Sequence, residues 1–96
     1  MIHMIALIRI KNSVLFSEYR ARVPETLEPY GGSLQFRANA SLTLDDENHL
    51  GDFSQVALFE FPSESACLDW YESDAYHDLL ALREQAGQFT LLALDA

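Results

Sequence analysis

The chain has 96 residues, of which 49% are hydrophobic, and a formal net charge of −9. This length and composition predict one globular domain over residues 1–96 and exclude an intrinsically disordered chain. The 6 Lys and Arg residues are scattered among 15 Asp and Glu residues, which is too few cations to bind phosphates or an anionic lipid surface, so nucleic acid and membrane are excluded as partners.

Targeting signals and cysteine content indicate where the protein works. The apolar segment 1–10 lacks the basic start and the cleavage site of a signal peptide, and Arg9 follows early. No apolar run approaches the ~20 residues that span a bilayer. Cys67 is the single cysteine and cannot form an internal disulfide, so we expect a reducing, cytoplasmic location.

The first third of the chain predicts a strand followed by a helix. Met4–Ile10 is apolar at almost every position and rich in isoleucine, which favours a strand buried on both faces. Asn12 or Ser13 can cap the helix that follows. Apolar side chains then recur at intervals of three and four, at Phe16, Tyr19, Val23, Leu27 and Tyr30. Pro24 lies inside this pattern and predicts a kink or a restart, and Gly31 and Gly32 end the helix.

The remaining two thirds predict three strands and a broken helix. Ser33–Leu44 alternates, with Leu34, Phe36, Ala38, Ala40, Leu42 and Leu44 on one face and polar residues on the other, as in an edge strand. Asp45–Asp52 is an acidic loop without the ligand spacing of a calcium site. Gln55–Phe61 is a strand, Ser63 begins a helix that is recapped at Ser73, and Gln88–Leu94 is the last strand.

The resulting order β-α-β-β-α-β predicts an α+β, ferredoxin-like fold: a four-stranded antiparallel sheet with both helices on one face. The first, third and last strands are apolar on both faces, so a monomer would expose an apolar sheet surface. We therefore expect a homodimer that packs through the helix-free face of the sheet, with two-fold symmetry.

Six pieces of the chain resemble, in the same order, the bacterial family of domains of unknown function numbered thirteen-thirty. They are S-E-Y-R-A-R-V-P-E-T-L-E-P-Y-G-G (Ser17–Gly32), Arg37, L-G-D-F (Leu50–Phe53), E-F-P-S (Glu60–Ser63), W-Y-E-S-D-A-Y (Trp70–Tyr76) and L-R-E-Q-A (Leu82–Ala86). The resemblance covers nearly the whole chain. It implies the dimeric α/β-barrel arrangement of ferredoxin-like domains, and it implies no settled chemistry.

Four positions, at Ala38, Asn39, Leu50 and Leu80, depart from the patterns that the resemblance brings with it. The family tends to have R-G-G after the second strand, where this chain has Arg37-Ala38-Asn39, and a glutamate where this chain has Leu50. Haem-degrading relatives in the same superfamily place an axial histidine at the position that is Leu80 here. The resemblance therefore argues against a haem ligand, and a pocket shaped by the other positions would differ in specificity.

Aromatic side chains at helical spacing are candidates for a pocket between helix and sheet. Trp70 and Tyr71 share the apolar stripe of the second helix, with Tyr76 in the next helical piece; Tyr19 and Tyr30 are on the first helix. One interpretation is core packing. The other is that these side chains form the walls of a ligand site, with the tyrosine hydroxyls as polar contacts.

Arg37 and Glu60 are charged residues inside predicted strands. A charge within a sheet is costly unless it is paired or exposed, so a structural salt bridge or a solvent-facing arginine is one interpretation. The functional interpretation makes Arg37 an anchor for a carboxylate or enolate oxygen, with Glu60 as a base or as the residue that orients the arginine.

Metal and thiol chemistry find no support in the sequence. His77 lies on a polar helical side, and neither it nor His3 and His49 has metal-ligand spacing. Cys67 is mid-helix on the apolar stripe, which favours a core residue over a nucleophile. We therefore expect no metal and no cofactor.

Two functions remain open from the sequence. The first is a protein that binds or transforms a small aromatic or acidic molecule without metal. The second is a non-catalytic dimerisation or regulatory module. A cavity of ~300 Å³ or more lined by Tyr19, Arg37, Trp70 and Tyr76 would favour the first, and a solid core there would favour the second.

Overall fold

Strands and helices alternate along the chain much as the sequence pattern predicts. A computed structural model of the protein describes residues 1–95 and contains these elements: β1 (Ile2–Ile10), α1 (Ser13–Leu27), β2 (Ser33–Asn39), β3 (Gln55–Phe61), α2 (Glu64–Glu72), α3 (Asp74–His77), α4 (Leu80–Ala86) and β4 (Gly87–Leu94). The strands form one sheet in the order β2-β3-β1-β4, with every neighbouring pair antiparallel. The predicted α+β, ferredoxin-like fold is confirmed.

The central strand β1 separates two apolar surfaces. Its buried residues lie under the helices and are Ile2, Met4, Ala6 and Ile8. The alternate residues point to the opposite, helix-free face, which we call the open face; they are His3, Ile5, Leu7 and Arg9. Because side chains alternate along a strand, this one segment supplies both the floor of the core and the centre of the open face.

Helix α1 begins at an asparagine cap and passes through its proline without a restart. The Asn12 side chain accepts a hydrogen bond from the backbone N–H of Leu15 at 3.0 Å. Of the kink or restart predicted at Pro24, the restart does not occur, because the α-helix continues to Leu27. Because proline has no N–H, Pro24 leaves the carbonyl of Arg20 without its helical hydrogen-bond partner. Both residues are exposed, so water is available to that carbonyl. Gly31, at φ 70°, ends the following 3₁₀ turn, Glu28–Tyr30.

Strand β2 differs from the prediction in length and in facing. It ends at Asn39 rather than at Leu44. A β-bulge between Leu34 and Phe36 adds one residue, so Leu34 pairs with Phe59 and Phe36 pairs with Leu58. The strict alternation predicted for this strand is therefore wrong, since Leu34 lies on the helix side and Phe36 on the open face.

Two serines divide the second helical region. The Ser63 hydroxyl accepts the N–H of Ala66 at 3.1 Å and starts α2. The Ser73 hydroxyl donates to the carbonyl of Trp70 at 2.7 Å and accepts the N–H of Tyr76 at 3.2 Å. One side chain thus ends α2 and begins α3, which turns the ring of Tyr76 into the core.

Candidate functional site

Two cavities lie between the helices and the sheet, on either side of a shared wall. The first, which we call the α1 slot, has a volume of about 70 Å³ and lies beneath α1 against β2 and β3. The second, which we call the β4 groove, has a volume of about 350 Å³ and lies between α2, α4 and β4. Met4, Phe89 and Leu91 line both cavities.

A short chain of polar atoms sits in the aromatic core beside these cavities. The hydroxyls of Tyr19 and Tyr76 are 2.8 Å apart and both side chains are buried. Nη1 of Arg83 donates to the Tyr76 hydroxyl at 3.0 Å. The cap at Ser73 positions Tyr76, and α4 positions Arg83, so the group depends on the break in the helix. Its outer end, Arg83, lines the β4 groove.

Arg83 is a half-buried cation held by aromatic rings rather than by an acid. Its Cζ lies 5.9 Å from the ring centroid of Tyr76 and 5.6 Å from that of Phe89. Within residues 1–95 the one acid–base pair closer than 4.0 Å is His3 with Glu60, so no described carboxylate neutralises Arg83. Arg83 therefore presents positive charge to the groove, which Glu64 also lines without pairing with it.

Burial sets the protonation of the groups in this cluster. It is the main cause that raises the pKa of the Tyr19 hydroxyl well above its usual range, and Tyr76 raises it further. Burial lowers the pKa of the Arg83 guanidinium, but the tyrosines around it together raise that pKa more, and the net direction is upward. The cluster therefore has a neutral Tyr19 hydroxyl and the cation of Arg83 bound to the same Tyr76 hydroxyl.

Trp70 is a structural residue that also forms part of a cavity wall. It is buried, and its Nε1 donates to the Thr26 hydroxyl at 3.0 Å. Its ring centroid lies 4.3 Å from that of Tyr76 and 5.5 Å from that of Phe61. Trp70 also lines the α1 slot, so its core packing is observed and its role as a wall of a ligand site stays a prediction.

The six predicted site residues do not all meet. Tyr19, Trp70 and Arg37 line the α1 slot, and Tyr76 is in contact with both Tyr19 and Trp70. Tyr30 lies in the 3₁₀ turn after α1 and lines neither cavity. The α1 slot has a volume of about 70 Å³, far below the ~300 Å³ that would favour a ligand site there.

Glu60 lies apart from the other predicted site residues. It pairs across β1 with His3 on the open face, where His3 Nε2 is 3.3 Å from Glu60 Oε2. Arg37 pairs with Ala57 on the helix side of the sheet. The hypothesis that Glu60 orients Arg37 within one subunit is therefore wrong, because the sheet lies between them.

Sequence reasoning missed Arg83 as a site residue, although it lines the β4 groove together with Tyr71 of the predicted aromatic wall. The available signal was spacing, since Arg83 follows Tyr76 by seven residues, two helical turns later, within the same helical region. The break at Ser73 and the separate helix α4 hid that relation.

Comparison with known proteins places the chain in a family. Residues 2–96 match the family model described as Domain of unknown function (DUF1330). The chain belongs to this family. The predicted membership is thus confirmed over nearly the full length. No curated protein matches the chain significantly.

Solved structures agree on the fold. A protein of unknown function from Rhodopseudomonas palustris has a TM-score of 0.80 at 20% identity, covering 99% of this chain and 81% of that one. A cofactor-independent oxygenase, SnoaB from Streptomyces nogalater, has a TM-score of 0.66 at 8% identity, with 99% and 91% covered. A dimeric ferredoxin-like protein of unknown function from Jannaschia sp. has a TM-score of 0.63 at 9% identity, with 99% and 98% covered.

Two further properties of the described part of the chain bear on the site. Among residues 1–95, no three His, Cys, Asp or Glu side chains are grouped as a metal site requires. No helix in that range is long and apolar enough to cross a membrane.

Proposed function

We propose that this protein binds a small organic acid with a planar, mostly apolar body in the β4 groove, and that Arg83 holds the acid group. The observation that carries the proposal is the half-buried guanidinium of Arg83, which faces a groove of about 350 Å³ and has no described carboxylate as partner. Ligand pockets typically occupy ~300–1,000 Å³ and combine apolar walls with few polar groups.

The walls of the groove suit such a ligand. Apolar surface comes from Phe89, Leu91 and Leu68, and the exposed side chain of Tyr71 adds an aromatic ring and a hydroxyl. Arginine is the side chain best suited to a carboxylate, because its planar fork donates two parallel hydrogen bonds. One guanidinium nitrogen of Arg83 already donates to Tyr76. A ligand oxygen in the groove would meet the remaining guanidinium nitrogens.

The same geometry supports oxyanion chemistry on the bound molecule. Arg83, the cation that lines this groove, would stabilise negative charge that develops on an oxygen of the ligand in a partly dry site. The oxygenase from Streptomyces nogalater shares the fold and works without a cofactor. That likeness is at the level of fold, so it supports small-molecule chemistry as a class and specifies no reaction.

Binding of aromatic acids tests the proposal. Benzoate, phenylacetate and salicylate are titrated by calorimetry and in thermal-shift assays, where ligand at a hundredfold excess over the dissociation constant adds ~2.7 kcal/mol of stability. Arg83→Gln removes charge-assisted hydrogen bonds of ~1.5–3 kcal/mol, so we expect the best ligand to bind about 10- to 150-fold more weakly.

Three further variants make the result specific. Arg22→Gln makes the same chemical change at an exposed residue of α1 outside the groove, and binding should be unchanged. Arg83→Lys keeps the charge without the fork and should recover only part of the affinity. Ala93→Phe, at an exposed position of β4 that lines the groove, should block the ligand sterically. Equal affinity in wild type and Arg83→Gln would contradict the proposal.

We also propose that two copies pack through the open face to form a homodimer. Phe36 and Leu92 lie on this face with 54% and 53% of their surface exposed. Ile5 and Leu58 lie between them, paired across β1 and β3. A continuous apolar sheet surface of this kind favours sheet-on-sheet packing with a second copy.

Sedimentation velocity at micromolar concentration measures this assembly. We expect a dimer mass for the wild type and a monomer mass for the Phe36→Asp/Leu92→Asp double variant. A matched variant, Leu68→Asp, places the same charge on an exposed leucine of α2 and should remain dimeric. A wild-type monomer would contradict the interface, whereas a dimer that binds none of the acids would favour a non-catalytic dimerisation module.

A further inference from the structure

The β-bulge in β2 turns Arg37 towards the α1 slot. In a regular strand Leu34 and Arg37 would point to opposite faces, because they are three residues apart. The extra residue between Leu34 and Phe36 places Leu34 opposite Phe59 and Arg37 opposite Ala57, so that both line the slot. Bulges of this kind recur where a strand must re-aim a side chain near a functional site.

A second arginine reaches the same slot from the opposite wall. Arg20 on α1 lines the slot, and its Cζ lies 6.0 Å from the ring centroid of Phe16, another lining residue. The sequence offers 15 acidic residues, yet among residues 1–95 neither Arg20 nor Arg37 has a carboxylate within 4.0 Å. Two arginines without a described carboxylate partner therefore line the same slot, in a protein whose net charge is −9.

The interior of the slot is apolar and small. Beyond the arginines, its lining is almost entirely hydrocarbon and aromatic: Met4, Ala6, Ile8, Phe16, Tyr19, Val23, Pro24, Leu27, Leu34, Ala57, Phe59, Trp70, Phe89 and Leu91. A cavity of about 150 Å³ holds the six carbons of benzene. The slot, at about 70 Å³, therefore has room for roughly three carbons.

We propose that the α1 slot is a second binding site, for a short aliphatic monocarboxylate of about four carbons. The alkyl chain of the ligand enters the slot, and its carboxylate is held between Arg20 and Arg37 at the opening. Charge and shape both select this class. The arginines favour an anion, and the apolar interior rejects a second charge because no polar partner would meet it there. The site is separate from the β4 groove and does not depend on what that groove binds.

An acid series of increasing chain length tests the size of the site. Acetate, propionate, butyrate, valerate and hexanoate are titrated at constant ionic strength, and binding is followed by backbone amide NMR shifts. Each methylene that enters the slot should increase affinity about fourfold, up to butyrate, and longer acids should gain nothing or bind more weakly. The shifts should centre on residues 19–24 and 34–37, away from the groove residues around Cys67 and Arg83.

Charge variants test the opening of the slot. Arg37→Gln and Arg20→Gln change exposed side chains, so the fold is retained, and each should weaken butyrate about tenfold or more. The matched variant Arg22→Gln, also on α1 but outside the slot, should leave butyrate affinity unchanged. Butyramide, which has the same length without charge, should bind at least tenfold more weakly than butyrate.

Several results would overturn the proposal. Affinity that does not depend on chain length, or that keeps rising to hexanoate, would contradict the three-carbon interior. Equal weakening by Arg22→Gln would show that acids associate with any surface arginine. Shifts confined to the groove residues would assign all acid binding to the β4 groove, leaving the proposed function intact and removing the second site.

Discussion

Thr26→Val removes the hydrogen-bond partner of the only tryptophan without changing the shape of the side chain much. Trp70 Nε1 donates to Thr26 Oγ1 at 3.0 Å, and that hydroxyl donates to the carbonyl of Val23 at 2.7 Å. Trp70 is 2% exposed and Thr26 is 5% exposed, so water does not replace the lost partner. An unpaired buried N–H costs ~1–3 kcal/mol, and for a domain of this size each kcal/mol lowers Tm by ~4–8 °C.

Urea unfolding followed by circular dichroism measures this cost. Thr26→Ser keeps the hydroxyl and loses one methyl group, about 0.8 kcal/mol of burial, and serves as the control. A double-mutant cycle with Trp70→Phe isolates the pair, because the phenylalanine has no N–H to leave unsatisfied. We expect a coupling of about 1 kcal/mol or more. A coupling near zero would refute the argument that this hydrogen bond fixes Trp70 in the wall of the α1 slot.

Three further predictions concern single positions. Burial raises the pKa of Tyr19 above the unfolded value of 10.0. The unfolded state therefore releases this proton first, so the free energy of unfolding is unaffected below pH 10 and falls as the pH rises above it. Tyr19→Phe should flatten that decline by up to about 1.4 kcal/mol per pH unit. Burial, followed by the charge of Glu64, raises the pKa of Cys67, so its thiol should react slowly with a disulfide reagent at pH 8 and rapidly once urea unfolds the chain; equal rates would contradict its burial. Gly32→Ala would place a Cβ 2.6 Å from Cε1 of Phe61, and we expect a loss of ~1–3 kcal/mol in denaturant unfolding.

Local pattern determined most of the architecture. Periodicity identified four strands and the helical regions, and β3 was predicted with the same bounds that the structure has, Gln55–Phe61. Serine and asparagine caps were recognisable because their side chains act within three residues of themselves. The order of elements then left few topologies open, because the handedness and connection rules exclude most of them.

The site depended on relations that no local pattern carries. A β-bulge depends on how two strands pair, so the alternation of β2 gave no indication that Arg37 shares the helix side with Leu34. Sheet register likewise placed Glu60 beside His3 and apart from Arg37. These facings follow from pairing with a distant strand rather than from the neighbours along the chain.

The sequence by itself thus determined the family, the fold and a set of aromatic residues between helix and sheet. Only the tertiary structure decided which of them meet a charge. Tyr19 and Tyr76 are 57 positions apart, yet their hydroxyls are 2.8 Å apart. The break at Ser73 and the path of α4 bring Arg83 to that pair, because close packing of distant elements fixes side-chain positions that helical or strand periodicity leaves free.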